Sequence, residues 1–314
     1  MKITTPMKIG DVRVKNRLFL APMVDVTDLV FRILCRKQGV GMAYTEMLYI
    51  DAILHENEKT KSLMKTNKND RPIGLQITGN NTDEFRKLVK LDLDYDLIDI
   101  NCGCPSIRIT GSEAGSFLLK NPEKIEKMIK ILKEKYTTTA KIRLGFKKNN
   151  AIEIAKKIEK AGAELITVHA RLANQGNSVK ADWNEIRKVK DSVGIPVIGN
   201  GDIFSGKDAE ELMDFCDGVM VARGAIGNPF IFREILRYSK SGKEKEIKKE
   251  ERLKAFGDYL KLAKKYNIVD LSRIKYLGSG FYKEFDCASK MRDKLMKCKT
   301  YDEIHSLNDF FQEV

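Results

Sequence analysis

The side chains best suited to catalysis or cofactor binding in this 314-residue sequence are a cysteine and a lysine, each associated with a short apolar run. Cys104 lies in a Gly-Cys-Pro segment just beyond one run, and this loop setting argues against an inert buried thiol. Because a thiol keeps its proton at neutral pH, Cys104 is a candidate proton donor. Lys141 belongs to a later run, and its ammonium group would suit an electron-rich ring whose reduced form is anionic.

Two glycine-containing segments further along the chain are typical of an anion site. Gly199–Asp202 and Ala222–Gly224 each follow or close an apolar run. Glycine lets backbone N–H groups approach an anion closely, and Arg223 can add charge-assisted hydrogen bonds. These segments predict a single phosphorylated ligand, and the combination with Lys141 indicates FMN.

Three other kinds of site are not supported. Gly201–Lys207 resembles a P-loop, but Asp208 stands where a Ser or Thr would contact magnesium, and its carboxylate would repel nucleotide phosphates. No Gly-x-Gly-x-x-Gly follows an apolar run, so a Rossmann dinucleotide site has no basis. Cys102 and Cys104 lack a second Cys/His pair at zinc spacing, and we predict no metal.

Eight apolar runs, alternating with stretches of helical periodicity, would position these residues. Strands covered on both faces are apolar throughout, so the runs predict an α/β fold, a (β/α)8 TIM barrel, with a doubly wound open sheet as the competitor. The active site of such a barrel lies at the carboxyl ends of its strands, which would bring the polar residues at the run ends onto one rim. The runs are Leu18–Met23, Met42–Met47, Ile73–Thr78, Leu97–Cys102, Ala140–Leu144, Leu165–His169, Pro196–Asn200 and Gly218–Ala222.

The pattern of runs stops near residue 239, and the remainder reads as helices. Residues 240–314 carry 18 Lys and Arg against 13 Asp and Glu, a net charge of +5, within a chain whose net charge is +13. Such a balance suits a polyanionic partner, most simply nucleic acid. We therefore predict a barrel domain, 1–239, and a small basic helical domain, 240–314, with a solvated capping appendage as the alternative role for the second.

Composition places the chain in a broad class. The first ten residues contain no apolar stretch of the secretory kind, and no run approaches the roughly 18 apolar residues of a membrane span. The six cysteines are scattered, which favours a reducing compartment over a disulfide framework. We expect a cytoplasmic protein without a membrane contact, and a monomer.

Several motifs together resemble those of the tRNA-dihydrouridine synthases. The likeness extends from about residue 9 to 235 in the family's order and spacing, and the tail is similar to the family's small tRNA-binding domain, with a basic-aromatic segment at Lys275–Gly278 and Phe281–Tyr282. The matching segments are Ala21–Asp28 with Phe31–Arg32, Asp99–Pro105, Ala114–Ser116 with Leu118–Leu119, Lys141–Gly145, Val168–His169, Ala181–Trp183, Gly199–Ile203 and Arg223–Pro229.

The resemblance implies an FMN-dependent reduction of uridine to 5,6-dihydrouridine in tRNA, with NADPH or NADH as hydride donor. Flavin N5 would pass hydride to uridine C6, Cys104 would protonate C5, and Asn101 and Arg171 would contact the uridine. Residues carried over by position as flavin-binding are Pro22, Met23 and Val24 along the flavin, Gln76 and Lys141 at its ring, and His169, Asn200, Gly201, Asp202, Ala222 and Arg223 at its ribityl and phosphate end.

The sequence departs from the family pattern at several positions. In the stretch after His169, Ala173, Asn177 and Val179 replace the family's usual second Arg, Tyr and Gly, so uridine contacts made by this loop are open. Val24-Asp25 replaces the usual Ala-Gly, Ala222 replaces a common Gly, and Arg108 stands where Lys is frequent. None of these changes removes Cys104 or the residues expected to bind flavin.

Two other functions compete with the tRNA reductase. One is a flavoenzyme that reduces a free pyrimidine or a quinone, which the basic tail disfavours because a small substrate does not need it. The other is an RNA-binding protein that has lost its catalysis, which the presence of Cys104, Lys141 and Asn101 disfavours.

Overall fold

Eight parallel strands form a closed barrel in the structure, a computed structural model that describes residues 2–313. The ring closes because the last strand pairs with the first, with Val219 opposite Leu18. The strands of the chain are β1 Met7–Ile9, β2 Val12–Val14, β3 Leu18–Leu20, β4 Met42–Tyr44, β5 Leu48–Tyr49, β6 Ile73–Thr78, β7 Leu97–Cys102, β8 Thr138–Arg143, β9 Leu165–His169, β10 Val197–Asn200 and β11 Gly218–Val221.

Helices connect the strands and surround the barrel, which makes every strand buried on its outer face. Short 3-10 helices span Lys68–Asp70, Gly115–Lys120 and Arg223–Ala225. The α-helices are α1 Leu29–Lys37, α2 Ile50–Leu54, α3 Glu58–Leu63, α4 Thr82–Val89, α5 Ile107–Gly111, α6 Pro122–Leu132, α7 Ala151–Lys160, α8 Trp183–Lys190, α9 Gly206–Met213, α10 Ile231–Ser241, α11 Lys249–Lys265, α12 Leu271–Phe281, α13 Ala288–Lys297 and α14 Tyr301–Glu313.

The predicted TIM barrel is confirmed, because each of the eight apolar runs overlaps one barrel strand. Four runs extend past their strands into the loops at the carboxyl ends, as in Leu18–Met23, whose strand ends at Leu20. Two elements were not predicted: the hairpin β1–β2 and the two-residue strand β5, which pairs with β6. Both are too short to produce an apolar run.

The interior of the barrel is closed at its amino-terminal end. Inward side chains of the strands, among them Phe19, Tyr44 and Ile198, form a buried cluster that is separate from the core between strands and helices. Ile9 and Val14 of the hairpin belong to this cluster, so the hairpin covers that end of the barrel. The open end of the barrel is therefore the one formed by the carboxyl ends of the strands.

The tail helices pack around an aromatic cluster that is continuous with the core between the barrel strands and their helices. Phe256 of α11 lies 5.4 Å from the ring of Phe281 and 5.5 Å from that of Tyr282. These two residues of the expected basic-aromatic segment are thus buried, while Tyr276 is half exposed. Helix α11 packs on α1 of the barrel, and the predicted domain boundary after residue 239 falls within the last turn of α10.

In residues 2–313, no helix is long and apolar enough to span a membrane.

Candidate active site

Two adjoining cavities lie at the carboxyl ends of the barrel strands. One, here called the anion cavity, has a volume of about 610 Å³, and the other, the cysteine cavity, about 570 Å³. Pro22, Lys141 and His169 line both, so the two form one continuous recess. The other residues of the anion cavity are Ala21, Arg171, Asn177, Asn200, Gly201, Asp202, Ile203, Phe204, Ala222 and Arg223, and those of the cysteine cavity are Val24, Met47, Gln76, Asn101, Gly103, Cys104, Pro105 and Arg143.

The anion cavity contains one carboxylate held by two guanidinium groups. Asp202 accepts hydrogen bonds from Arg171 Nη2 at 2.6 and 2.7 Å and from Arg223 Nη2 at 3.0 Å. Partial burial raises the pKa of Asp202, but hydrogen bonds from Arg171 and the Ala181 N–H outweigh it and leave the pKa below its ordinary value. Asp202 is therefore ionised at neutral pH and keeps both arginines in place.

His169 is a neutral imidazole in this cavity. Burial, and then the positive charges of Lys141, Arg143, Arg171 and Arg223, lower its pKa to about 2. Arg171 Nη1 lies 3.2 Å from His169 Nε2, and because a guanidinium only donates, Nε2 accepts and the ring proton is on Nδ1. The excess of cations over carboxylates makes the cavity suitable for an anion.

The turn after β10 brings backbone close to the recess. Gly201 has φ +132° and Asp202 has φ +55°. A Cβ atom at Gly201 would lie 2.9 Å from the Ala181 side chain. The carbonyl of Gly201 accepts a hydrogen bond from Trp183 Nε1 at 3.1 Å. Glycine is thus required where the chain turns under the cavity.

The loop that carries Cys104 is fixed on both sides. Asn101 Oδ1 accepts hydrogen bonds from the backbone N–H groups of Gly103 and Cys104 at 3.1 and 2.9 Å. The carbonyl of Cys104 accepts from the Ser116 N–H at 2.9 Å. Gly115, with φ +58°, makes this approach possible, since a Cβ there would lie 2.7 Å from the same carbonyl oxygen. The Ala-Gly-Ser motif therefore positions the cysteine loop.

A buried carboxylate sets the direction of the amide groups on the floor of the cysteine cavity. Asp99 accepts from Thr139 Oγ1 at 2.6 Å and from Gln76 Nε2 at 2.8 Å. Gln76 Oε1 therefore points the other way and accepts from Asn101 Nδ2 at 2.9 Å, which leaves Asn101 Oδ1 for the Cys104 loop. Burial, partly opposed by these hydrogen bonds, raises the pKa of Asp99 to about 6.

Lys141 lies where the two cavities meet. Its Nζ donates to Asn200 Oδ1 at 3.2 Å, and Asn200 Nδ2 donates to the Met220 carbonyl at 2.8 Å. Burial, and then the charge of Arg143, lowers the pKa of Lys141 to about 8, so the ammonium form still predominates at pH 7. Lys141 and the amide groups of Gln76 and Asn101 each have a further N–H group that can donate a hydrogen bond. These donors suit a ligand with acceptor atoms along its edge.

The structure brings most of the sequence-predicted site residues to this recess. Val24 is exposed at its edge. Met23 lies outside the lining and packs against the core, and its N–H donates to Thr27 Oγ1. Arg171 is buried, and it also donates to the Val179 carbonyl, so in the structure it fixes the 171–179 loop. The uridine contact expected of Arg171 stays a prediction.

Three residues at the recess have no role assigned from the sequence. Arg143 joins the Cys104 loop to the next loop, donating to the carbonyls of Gly103 and Leu172 at 2.8 and 2.9 Å. Asp99 and Met47 are the others. A carboxylate within an otherwise apolar buried strand is a signal that could have revealed Asp99, because such a charge needs partners. Met47 and Arg143 stand at or near the ends of apolar runs, which places them on the expected rim, but their residue types alone do not give them a role.

The chain matches a family model described as dihydrouridine synthase over residues 19–314. It is 35% identical over 235 residues to tRNA-dihydrouridine synthase B of Pasteurella multocida, covering 72% of this chain and 71% of that protein. It is 32% identical over 315 residues to a probable tRNA-dihydrouridine synthase 1 of Synechocystis, covering 97% and 88%.

Solved structures with a similar fold are much more distant in sequence. A histamine dehydrogenase from Rhizobium sp. 4-9 superposes with a TM-score of 0.56 at 14% identity, covering 83% of this chain and 51% of that one. A 2-naphthoyl-CoA reductase superposes with a TM-score of 0.59 at 13% identity, covering 75% and 52%. The chain thus spans about half the length of these two proteins, and the likeness establishes the barrel fold.

Proposed function

The chain is an enzyme of the dihydrouridine synthase family, and from this premise we propose that it reduces uridine to 5,6-dihydrouridine in tRNA with bound FMN and NADPH or NADH. The observation that carries the proposal is the continuity of the anion cavity with the cysteine cavity. One recess offers cations at one end, hydrogen-bond donors in the middle and a thiol at the other end.

The residues of the recess fit FMN. Burial, and then four neighbouring cations, lower the pKa of His169 to about 2, and a bound phosphate would offset this excess of positive charge. Arg223 and the backbone at Gly201 would hold the phosphate, while Asn200 and His169 lie along the path to the ring. Lys141 and Gln76 would donate hydrogen bonds to the ring.

The chain's own residues would supply orientation and a proton. Once bound and reduced by NADPH or NADH, FMN would supply the hydride, from N5 to uridine C6. Asn101 is directed by Gln76 and Asp99, so that it holds the loop of Cys104 and keeps one N–H for the uridine. Cys104 would then donate its proton to C5, which completes the addition of a hydride and a proton across the C5–C6 double bond.

A uridine within folded RNA must leave its stack to reach a recess at the end of a barrel. Unstacking costs a few kcal/mol, which stacking on the flavin ring would partly offset. The basic tail, with net charge +5, would supply phosphate contacts, and partly exposed Lys275 and exposed Tyr276 of α12 are suitably placed on its surface. As parts of the same proposal, we place the enzyme in the cytoplasm, which its free thiols favour, and expect it to act as a monomer.

The direct test is nucleoside mass spectrometry of unmodified tRNA after incubation with the FMN-loaded protein and NADPH. We expect a gain of two mass units on uridine, absent when the reductant is omitted. Flavin binding and NADPH oxidation without any gain on tRNA would contradict the proposed substrate and point to reduction of a small molecule.

A further inference from the structure

The loop that lines the flavin side of the recess is fixed by a glutamate from the next strand. The backbone N–H of Asp25 donates to Glu46 Oε2 at 2.8 Å, directly after Pro22, Met23 and Val24. Asp25 has φ +60°, a conformation that favours glycine, the residue that the family more often has here. Since the loop adopts this unfavourable conformation with an aspartate, the hydrogen bond to Glu46 must help to hold it.

Glu46 is held in turn by the tail. Its other oxygen, Oε1, forms an ion pair with Arg273 Nη2 of α12 at 2.9 Å. The same guanidinium lies 3.5 Å from Asp28 and 3.9 Å from the mostly exposed Asp25. Tyr259 of α11 donates to Asp28 Oδ2 at 2.7 Å. The flavin loop and the tail therefore share one cluster of charges.

The cluster is buried and depends on a single cation. Glu46 is 2% exposed, Asp28 3% and Arg273 6%. Burial raises the pKa of Glu46, and the charge of Arg273 is the largest influence that opposes this rise. Removal of one partner of a buried ion pair leaves the other charge uncompensated, which is strongly destabilising. Without Arg273, Glu46 would have to take up a proton or leave its position.

Helix α12 is seated closely enough to keep Arg273 in place. Gly280, near the end of the helix, meets the barrel loop at Gly227, and a Cβ on Gly280 would lie 2.8 Å from the carbonyl oxygen of Ile226. The backbones of tail and barrel are therefore in direct contact at this point.

We propose that Arg273 is a positioning residue for the cofactor: through Glu46, the tail holds the Pro22–Asp25 loop in the conformation that contacts FMN. The inference rests on the proposed function, because it takes FMN as the occupant of the recess. It gives the tail a second role besides RNA binding, and it means that the cofactor site is incomplete without residues of 240–314.

The test measures FMN affinity of the full-length apoprotein by fluorescence, without tRNA or reductant. Arg273→Met should weaken FMN binding about tenfold or more, as expected when a buried pair is broken. Lys254→Met removes one positive charge from an exposed position of the neighbouring tail helix α11 and should leave FMN affinity unchanged. If the wild-type protein does not bind FMN, both the proposed function and this inference fail; if Arg273→Met binds FMN as the wild type does, only the inference fails.

A pH series separates this role from general damage to the structure. The groups facing Glu46 are Arg273, Asp28, Asp25 and Tyr259, so in Arg273→Met no cation remains among them. Lowering the pH from 8 to 5 should then protonate Glu46, remove the buried charge and bring the FMN affinity, taken relative to wild type at each pH, back toward wild type.

The double variant Glu46→Gln with Arg273→Met should bind FMN more tightly than Arg273→Met and lose the pH dependence. It also serves as the comparison if Arg273→Met does not fold, because it contains no unpaired Glu46 charge. Weak, pH-independent FMN binding in both variants would overturn the proposal.

Discussion

The two cavities of the recess are built on different principles. The anion cavity is lined by charged groups whose positions are set by ion pairs, with Asp202 holding Arg171 and Arg223. The floor of the cysteine cavity contains two neutral amides, Gln76 and Asn101, whose directions are set by one buried carboxylate, Asp99. We infer that the anion cavity mainly provides affinity for FMN and that the cysteine cavity mainly orients the groups that react. Mutations in the two cavities should therefore affect FMN affinity and turnover separately.

The largest separation is expected for Cys104→Ala. Loss of a general acid typically costs about 10²- to 10⁴-fold in rate, and we expect tRNA turnover to fall by this amount. FMN affinity and its reduction by NADPH should stay at the wild-type level, because the anion cavity is intact. Turnover is measured by nucleoside mass spectrometry in a time course. Full turnover by the variant would remove Cys104 from its role as proton donor.

The opposite effect is expected for Arg223→Ala. A hydrogen bond to a charged group contributes about 1.5–3 kcal/mol, so FMN should bind about 10- to 100-fold more weakly. At saturating FMN the turnover should return close to the wild-type value, since the cysteine cavity is unaffected. Lys207→Met, a change at an exposed lysine of α9, is the matched control. A turnover defect that saturating FMN does not correct would show that the cavities are not separable.

The smallest effect is a pH dependence that arises where the cavities meet. The pKa of Lys141 in the free protein is lowered to about 8 by burial, so above this pH the ammonium group loses its proton. If the charged form holds the flavin ring, the Kd for FMN should be flat below pH 8 and rise above it by up to about tenfold per pH unit. Fluorescence titrations between pH 6.5 and 9.5 measure the slope. Lys141→Met should abolish it; the same slope in this variant would assign the proton to another group.

The barrel could be predicted from sequence because its strands are covered on both faces. Runs such as Ile73–Thr78 and Leu97–Cys102 match their strands at both ends. The hairpin β1–β2 was missed because its strands have only three residues each, although Ile9, Val12 and Val14 alternate around a Gly10-Asp11 turn. That alternation was the available signal.

Site residues were predictable where a motif places them at the end of a strand, as for Asn101 and Asn200. The residues that position them were not. Asp99 acts from inside a strand, and Arg273 reaches Glu46 from 227 positions along the chain, a distance over which sequence spacing carries no information. Partners of this kind are determined by packing between elements, and only the folded chain reveals them.

The hairpin cap described above has a consequence for the order of events in a catalytic cycle. Because Ile9 and Val14 pack into the amino-terminal end, the recess is open to solvent at the carboxyl ends of the strands. The reductant and the RNA we propose as substrates would both approach the recess through that opening. Occupancy by one at a time would give parallel double-reciprocal plots, whereas simultaneous occupancy would give intersecting ones, so steady-state kinetics with both substrates varied distinguishes the two orders.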